Sequence, residues 1–207
     1  MLLGVFSEQG SAAPPVISTT FDPTGKHPGL TLLSANREVY QSLTYNFPLP
    51  VRFNTGQTAG KRQCQFTMTA AGACHFGFVN ASYDFSKFGA PGLNGEGGSL
   101  NSTNGISWEG RYVYYGNAVI ADTGVHSIPT ASIVDLLVDI DNDLWWVALN
   151  GTPVAGNPVA GTGGFPLHKS GIMYPIAAPA KANVAHVTMN AGNEAFANSY
   201  AGFVPWG

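Results

Sequence analysis

The stretch that most restricts what this chain can fold into is Ser132–Asn150, Ser-Ile-Val-Asp-Leu-Leu-Val-Asp-Ile-Asp-Asn-Asp-Leu-Trp-Trp-Val-Ala-Leu-Asn. Two periodicities compete in it. Ile133, Leu136, Leu137 and Ile140 fit one face of a helix, whereas Val134, Leu136, Val138 and Ile140 alternate with Asp135, Leu137, Asp139 and Asp141 as a strand would. Asp141-Asn142-Asp143 is a turn cluster, and β-branched and aromatic residues dominate both flanks. The segment therefore reads as strand, tight turn, strand, closed by Asn150-Gly151. Trp145 and Trp146 then point to opposite faces, one into a core and the other under a loop or a neighbour.

Composition extends that reading to the whole chain. Only 10% of the 207 residues are charged, while Gly 26 and Pro 14 make turns abundant. Disordered chains are charge-rich and poor in apolar residues, and this one is 44% hydrophobic. Coiled coils and helical bundles need the Glu, Lys, Arg and Leu that are scarce here. Short strands are expected at Leu30–Ser34, Val39–Leu43, Arg62–Thr69, Ala73–Val79, Gly105–Trp108, Arg111–Tyr115, Ile172–Ile176 and Val184–Asn190, with Phe21–Gly25 read as a turn cluster. Many short strands between turn signals predict an all-β sandwich or barrel. Residues 1–20 carry two consecutive prolines and little periodicity, and read as an extended N-terminal arm. Residues 21–207 form one domain.

Several function classes drop out. The net charge is −3 and the nine Lys and Arg are scattered, so no phosphate-binding stripe exists and no nucleic acid is expected. No run approaches the roughly 20 apolar residues of a membrane span. Met1–Phe6 is apolar but stops at Ser7-Glu8, too short for an export signal, so synthesis in a cytosol is expected. Cys64 and Cys74 are read as buried thiols, facing one another only if the turn between them has the right register.

The chemistry-bearing residues are sparse. Asp139, Asp141 and Asp143 suggest paired glycosidase carboxylates, but Asp141 and Asp143 fall in the turn and the glutamates are isolated. A calcium loop fails because Leu144 stands where Gly must allow the sharp turn, and Asn150 where a bidentate Glu must close the site. The histidines His27, His75, His126, His168 and His186 show no zinc spacing. We assign no catalytic residue, no metal and no cofactor. The aromatics Trp108, Tyr112, Tyr114 and Tyr115 with Tyr83, Phe85 and Phe88 flank a long loop; most should fill the core, with Phe85 and Phe88 the exceptions.

The hairpin at Val138–Gly151 resembles the signature of the SPRY domain, in which an acidic turn leads into an aromatic strand closed by Asn-Gly. Gly60–Thr67, Tyr174-Pro175-Ile176 and Thr188–Phe196 are similar to further blocks of that family in order and spacing. They depart from it at Cys64 and Gln65, where an aromatic and a Glu are usual, and at Ala191, where a Phe is usual. Phe21-Asp22-Pro23 with Leu30–Ser34, Gly156–Gly164 and Tyr200–Phe203 resemble the SPRY domains of bacteriophage tail and virion proteins. The resemblance implies a concanavalin A-like sandwich of two antiparallel sheets that binds ligands through rim loops.

On that footing the chain is expected to be a non-enzymatic virion component, located in the virion after assembly in the host cytoplasm. It would attach to a host-surface receptor, a glycan or a protein, or to another virion protein. The contact rim is assigned to the loops Tyr83–Gly105 and Thr152–Gly171, with Tyr83, Phe85, Phe88, Asn94, Asn101, Asn104 and Asn157 as contact residues. Stacking on flat rings and hydrogen bonds from the asparagines would carry recognition. The arm would dock on other virion proteins, and a homo-oligomer is expected. The alternative is a cellular SPRY adaptor that binds a short peptide; the Met1 start and the lack of an accompanying domain weigh against it.

Overall fold

The computed structural model describes residues 19–42, 48–70, 73–86, 102–116, 118–180 and 185–207. The arm up to Ile17-Ser18, and Phe88, Asn94 and Asn101, lie outside the described residues. In chain order the strands begin with β1 (Phe21–Lys26), β2 (Leu30–Leu33), β3 (Glu38–Gln41), β4 (Val51–Phe53), β5 (Lys61–Ala70) and β6 (Cys74–Asn80). There follow β7 (Ser102–Trp108), β8 (Tyr112–Gly116), β9 (Ala118–Asp122), β10 (Ile133–Asp139) and β11 (Leu144–Leu149). The last are β12 (Thr152–Pro153), β13 (Phe165–Pro166), β14 (Met173–Pro179), β15 (His186–Asn190) and β16 (Val204–Pro205).

Two sheets face each other. Sheet A runs β1-β4-β14-β6-β7-β8-β9, and sheet B runs β12-β11-β10-β5-β15-β3-β2, with β13 added on β11 and β16 on β5. The fold is thus the all-β, two-sheet sandwich that the sequence predicts. Pairing is antiparallel throughout except for β16, which lies parallel to β5. Phe21–Lys26 is a correction: it forms the edge strand of sheet A rather than a bare turn, tolerating Pro23 because an edge strand leaves half its N–H groups unpaired.

The core lies between the sheets. Phe66 of β5 packs 5.1 Å from Phe76, 5.5 Å from Phe53 and 6.3 Å from Phe21, ring centroid to centroid. Trp145 continues the stack between Phe78 and Phe165. Cys64 and Cys74 are free, buried members of this core.

The expected hairpin is present, β10 and β11 pairing from Asp139↔Leu144 to Val134↔Leu149. Its outer face is not solvated, which explains the mixed periodicity of its sequence. Leu137, Trp146 and Ala148 form a second apolar cluster there, joined by Tyr200 and Phe203 of the tail after β15. A strand buried on both faces reads as a near-continuous apolar run. The tail is clipped down by polar contacts. Gln63 donates to Asn198 O at 2.5 Å, Gln65 Oε1 accepts from Ala197 N at 3.0 Å, and Asp135 accepts from Gln65 Nε2, Asn198 Nδ2 and Tyr200 OH. It then returns as β16 and ends by driving Trp206 into the core against Phe78, with its indole N–H bonded to Thr55 O at 2.8 Å.

The loop Gly156–Gly164 roofs Trp146. Gly156, at φ +65°, backs directly onto Gly163 and the Thr162 carbonyl, leaving no room for a Cβ. Trp146 donates its indole N–H to Thr162 O at 3.1 Å. The two tryptophans therefore occupy the two environments that strand alternation requires.

Candidate functional site

After β6 the chain folds back over the outer face of sheet A through two successive side-chain turns. Asn80 Oδ1 accepts the N–H of Ser82 at 2.9 Å, and Asp84 Oδ1 accepts the N–H and the hydroxyl of Ser86 at 2.9 and 2.6 Å. These turns aim Tyr83 and Phe85 inward, with ring centroids 4.8 Å apart in an edge-to-face arrangement. Tyr83 forms an apolar cluster with Val79, Ile176 and Ala178, and Phe85 and Tyr174 pack against it. Tyr83 is buried, which pushes its phenol well above the ordinary range, and Phe85 is half-buried.

Arg52 of β4 braces this platform. Its guanidinium lies 4.4 Å from the ring centroid of Tyr174 and 5.8 Å from that of Phe85, and it donates to Asp22 Oδ2 at 3.0 and 3.1 Å. Burial opposes the charge of Asp22, but hydrogen bonds from Thr24 and Arg52 outweigh it and hold the carboxyl below its usual value.

Between this segment and the start of the domain lies an open groove of about 450 Å³. One wall is Thr24, Lys26 and Pro28, and the other is Ala81–Ser86. Lys26 Nζ donates to Leu30 O at 2.9 Å, which holds the ammonium at the groove wall. The site thus offers ring edges, hydroxyls, a cation and a carboxylate.

Of the rim residues expected from sequence, Tyr83 and Phe85 come together in this groove. Asn104 braces its base, accepting from Asn80 Nδ2 at 3.1 Å and donating to Ser82 O at 3.5 Å. Asn157 is not in the groove. It sits on the opposite side of the sandwich, in the loop over Trp146, where its Oδ1 accepts the N–H of Ala160. Lys26, Pro28 and Arg52 escaped the sequence reading because they converge on the long loop only through the order of strands in sheet A.

Two constellations bear on catalysis. Asp139 is buried and accepts from Asn142 N and Nδ2, Asp141 accepts from Gly60 N, and Asp143 at φ +57° accepts from Lys169 N. Asp139 closes the turn itself, while Asp141 and Asp143 tie it to Gly60 and Lys169. On the outer face of sheet A, Ser107 Oγ lies 3.4 Å from His75 Nδ1, whose Nε2 lies 3.6 Å from Glu109 Oε2. Burial drives the imidazole down to about 3, so it is neutral and its approach to Glu109 is not an ion pair. Ser107 has no solvent exposure, so its hydroxyl faces no open space that a substrate could enter. Among the described residues no group of three His, Cys, Asp or Glu could hold a metal ion. Among them, too, no helix is long and apolar enough to cross a membrane.

No protein-family model and no curated protein matches the sequence. The fold does match solved structures. The SPRY domain of human HERC1 superposes with a TM-score of 0.59 at 13% identity, over 82% of this chain and 96% of that one. The TRIM65 PSpry domain superposes with a TM-score of 0.57 at 11% identity, over 83% of this chain and 88% of that one. The chain has a SPRY-like, concanavalin A-like all-β sandwich fold.

Proposed function

We propose that this chain is a non-enzymatic protein-interaction module that receives a short extended peptide segment of a partner in the groove between Thr24–Pro28 and Ala81–Ser86. The observation that carries this reading is the groove itself, with its half-buried Phe85 ring beside Lys26, on a SPRY-like sandwich. A half-buried ring can anchor an apolar side chain, while Lys26 and the hydroxyls of Ser82 and Ser86 can hold a polar backbone or an acidic group. The structural hydrogen bonds that occupy Asp139, Asp141 and Asp143 and the burial of Ser107 speak for binding over catalysis.

A displayed library of random peptides, selected on the purified chain and followed by titration of the selected peptides, tests this. Phe85→Ala and Lys26→Glu should each weaken binding by about tenfold or more, the cost of losing one anchor. Peptides that bind both variants as well as the parent chain would move the site elsewhere.

A second reading rests on the sequence blocks at Phe21–Pro23, Gly156–Gly164 and Tyr200–Phe203 and assigns the same module to a bacteriophage virion, attaching to a receptor or to another virion protein. The genes beside its own test this: tail or capsid genes favour it, and their absence favours the peptide-binding adaptor.

A further inference from the structure

The groove between Thr24–Pro28 and Ala81–Ser86 carries an unanswered charge. Among the described residues, Arg37, Arg52, Lys61 and Arg111 each stand against a carboxylate. Lys26 does not. Its Nζ gives one hydrogen bond, to Leu30 O at 2.9 Å, and an ammonium has three to give. The head group is thus fixed at the groove wall, half-buried, with donors left over. The carboxylates on the two flanking segments are engaged elsewhere. Asp22 grips Arg52, and Asp84 Oδ1 takes the N–H and the hydroxyl of Ser86. A partly desolvated cation without a counter-ion favours an anion over any neutral group that enters beside it.

Strand β1 also sets how an occupant is read. Its edge does not accept a further strand, because Pro23 has no N–H and the Asp22 carboxyl takes the N–H groups of Thr24 and Gly25. Recognition on this wall therefore falls to side chains. Thr24, Lys26 and Pro28 are alternate residues, and all three line the groove. An extended segment lying along them repeats its own side chains at the same spacing, about 6.5 Å for every second residue. Resting on the peptide-groove reading, we infer that the occupant carries an Asp or Glu against Lys26 and, two positions along, an apolar side chain against Pro28. The carboxylate fills the hydrogen bonds that the ammonium leaves open, and the apolar side chain covers the proline ring.

A displayed library of random seven-residue peptides, selected in parallel on the full chain and on its Lys26→Glu variant, tests the inference. The chain itself should enrich Asp or Glu two positions from an aliphatic residue. Lys26→Glu should exchange that acid for Lys or Arg and keep the aliphatic residue. In titrations of an enriched peptide, changing its acid to the amide should weaken binding to the chain by about tenfold, and added salt should narrow the difference. That comparison needs no variant of the chain. Against Lys26→Gln the acid and the amide should bind alike. A pool that binds, loses affinity on Phe85→Ala and shows no preference for acids overturns this inference and leaves the groove reading standing. An acid preference that survives Lys26→Glu overturns it as well. A pool indifferent to Phe85→Ala and to Lys26→Glu overturns both readings.

Discussion

Asn198 donates from Nδ2 to Oδ2 of Asp135 at 3.0 Å, tying the chain's closing tail to the middle of strand β10. Asp135 has no solvent exposure, and burial is the dominant influence on it. Hydrogen bonds from Gln65, Asn198, Tyr200 and Gln63 only partly offset that influence, so the carboxyl is pushed from 3.8 up to about 6. The folded state therefore binds a proton that the unfolded chain releases. The stabilisation this group contributes is complete below 3.8 and is lost as pH rises through about 6. Asp22 and Asp139, held below their usual values, act in the opposite sense, so the comparison must be internal. The melting temperature of the parent chain relative to Asp135→Asn should fall as pH is raised across that window. A difference that stays flat with pH would contradict the assignment.

Trp206 is the second anchor of the tail. It is fully buried, packs 5.7 Å from Phe78, and bonds through its indole N–H to Thr55 O and through its carbonyl to Gln57 Nε2. Trp206→Ala should cost about 3–5 kcal/mol in urea unfolding, as large-to-small core substitutions do. Val204→Ser, two residues earlier on an exposed position, should change stability by less than about 0.5 kcal/mol.

The roof over Trp146 separates two glycines of similar backbone conformation. Gly156 and Gly161 have φ of +65° and +69°, but a Cβ on Gly156 collides with Thr162 and Gly163 whereas one on Gly161 meets open space. Gly161→Ala should cost about 1 kcal/mol of conformational strain. Gly156→Ala should cost clearly more, and the Trp146 fluorescence should report a displaced roof. Equal losses at the two positions would show that the Gly156–Gly163 contact is not tight.

The thiols offer a kinetic check. Burial pushes both Cys64 and Cys74 well above the ordinary thiol range. The native chain should resist a thiol reagent at neutral pH and react at both positions only on unfolding. Rapid labelling of the native chain would place at least one of them at the surface.

What the sequence discloses follows from how locally each feature is encoded. The β10–β11 hairpin was legible because its turn, alternation and closing Asn-Gly lie within twenty consecutive residues. Trp145 and Trp146 needed only strand parity. Tyr83 and Phe85 were legible as loop aromatics, but the wall opposite them was not. Thr24 and Lys26 reach the groove because β1 pairs with β4, and Arg52 comes to brace Phe85 and Tyr174 beside it because β4 pairs with β14. Strand β4 is three residues long, too short to show a period, and Pro23 and Gly25 disguise β1 as a turn. Asp135 reads as a solvent-facing strand residue because the tail that covers it lies more than sixty positions away.

Strand β5 receives β10 along one side and shares its other side between β15 and β16. Its neighbours thus emerge about seventy to one hundred and forty residues later in synthesis than β5 itself. A nascent chain that has made everything up to β14 still has the aromatic core open at the place Trp206 will fill, and the apolar outer face of the β10–β11 hairpin bare. Contacts at such separations form late and slowly, and the uncovered strands are prone to wrong pairing in the meantime. Closure of the aromatic core therefore waits on β15 and on the segment from Asn198 to Trp206, the parts of this domain whose partners on β5, β6 and β10 are all distant in sequence.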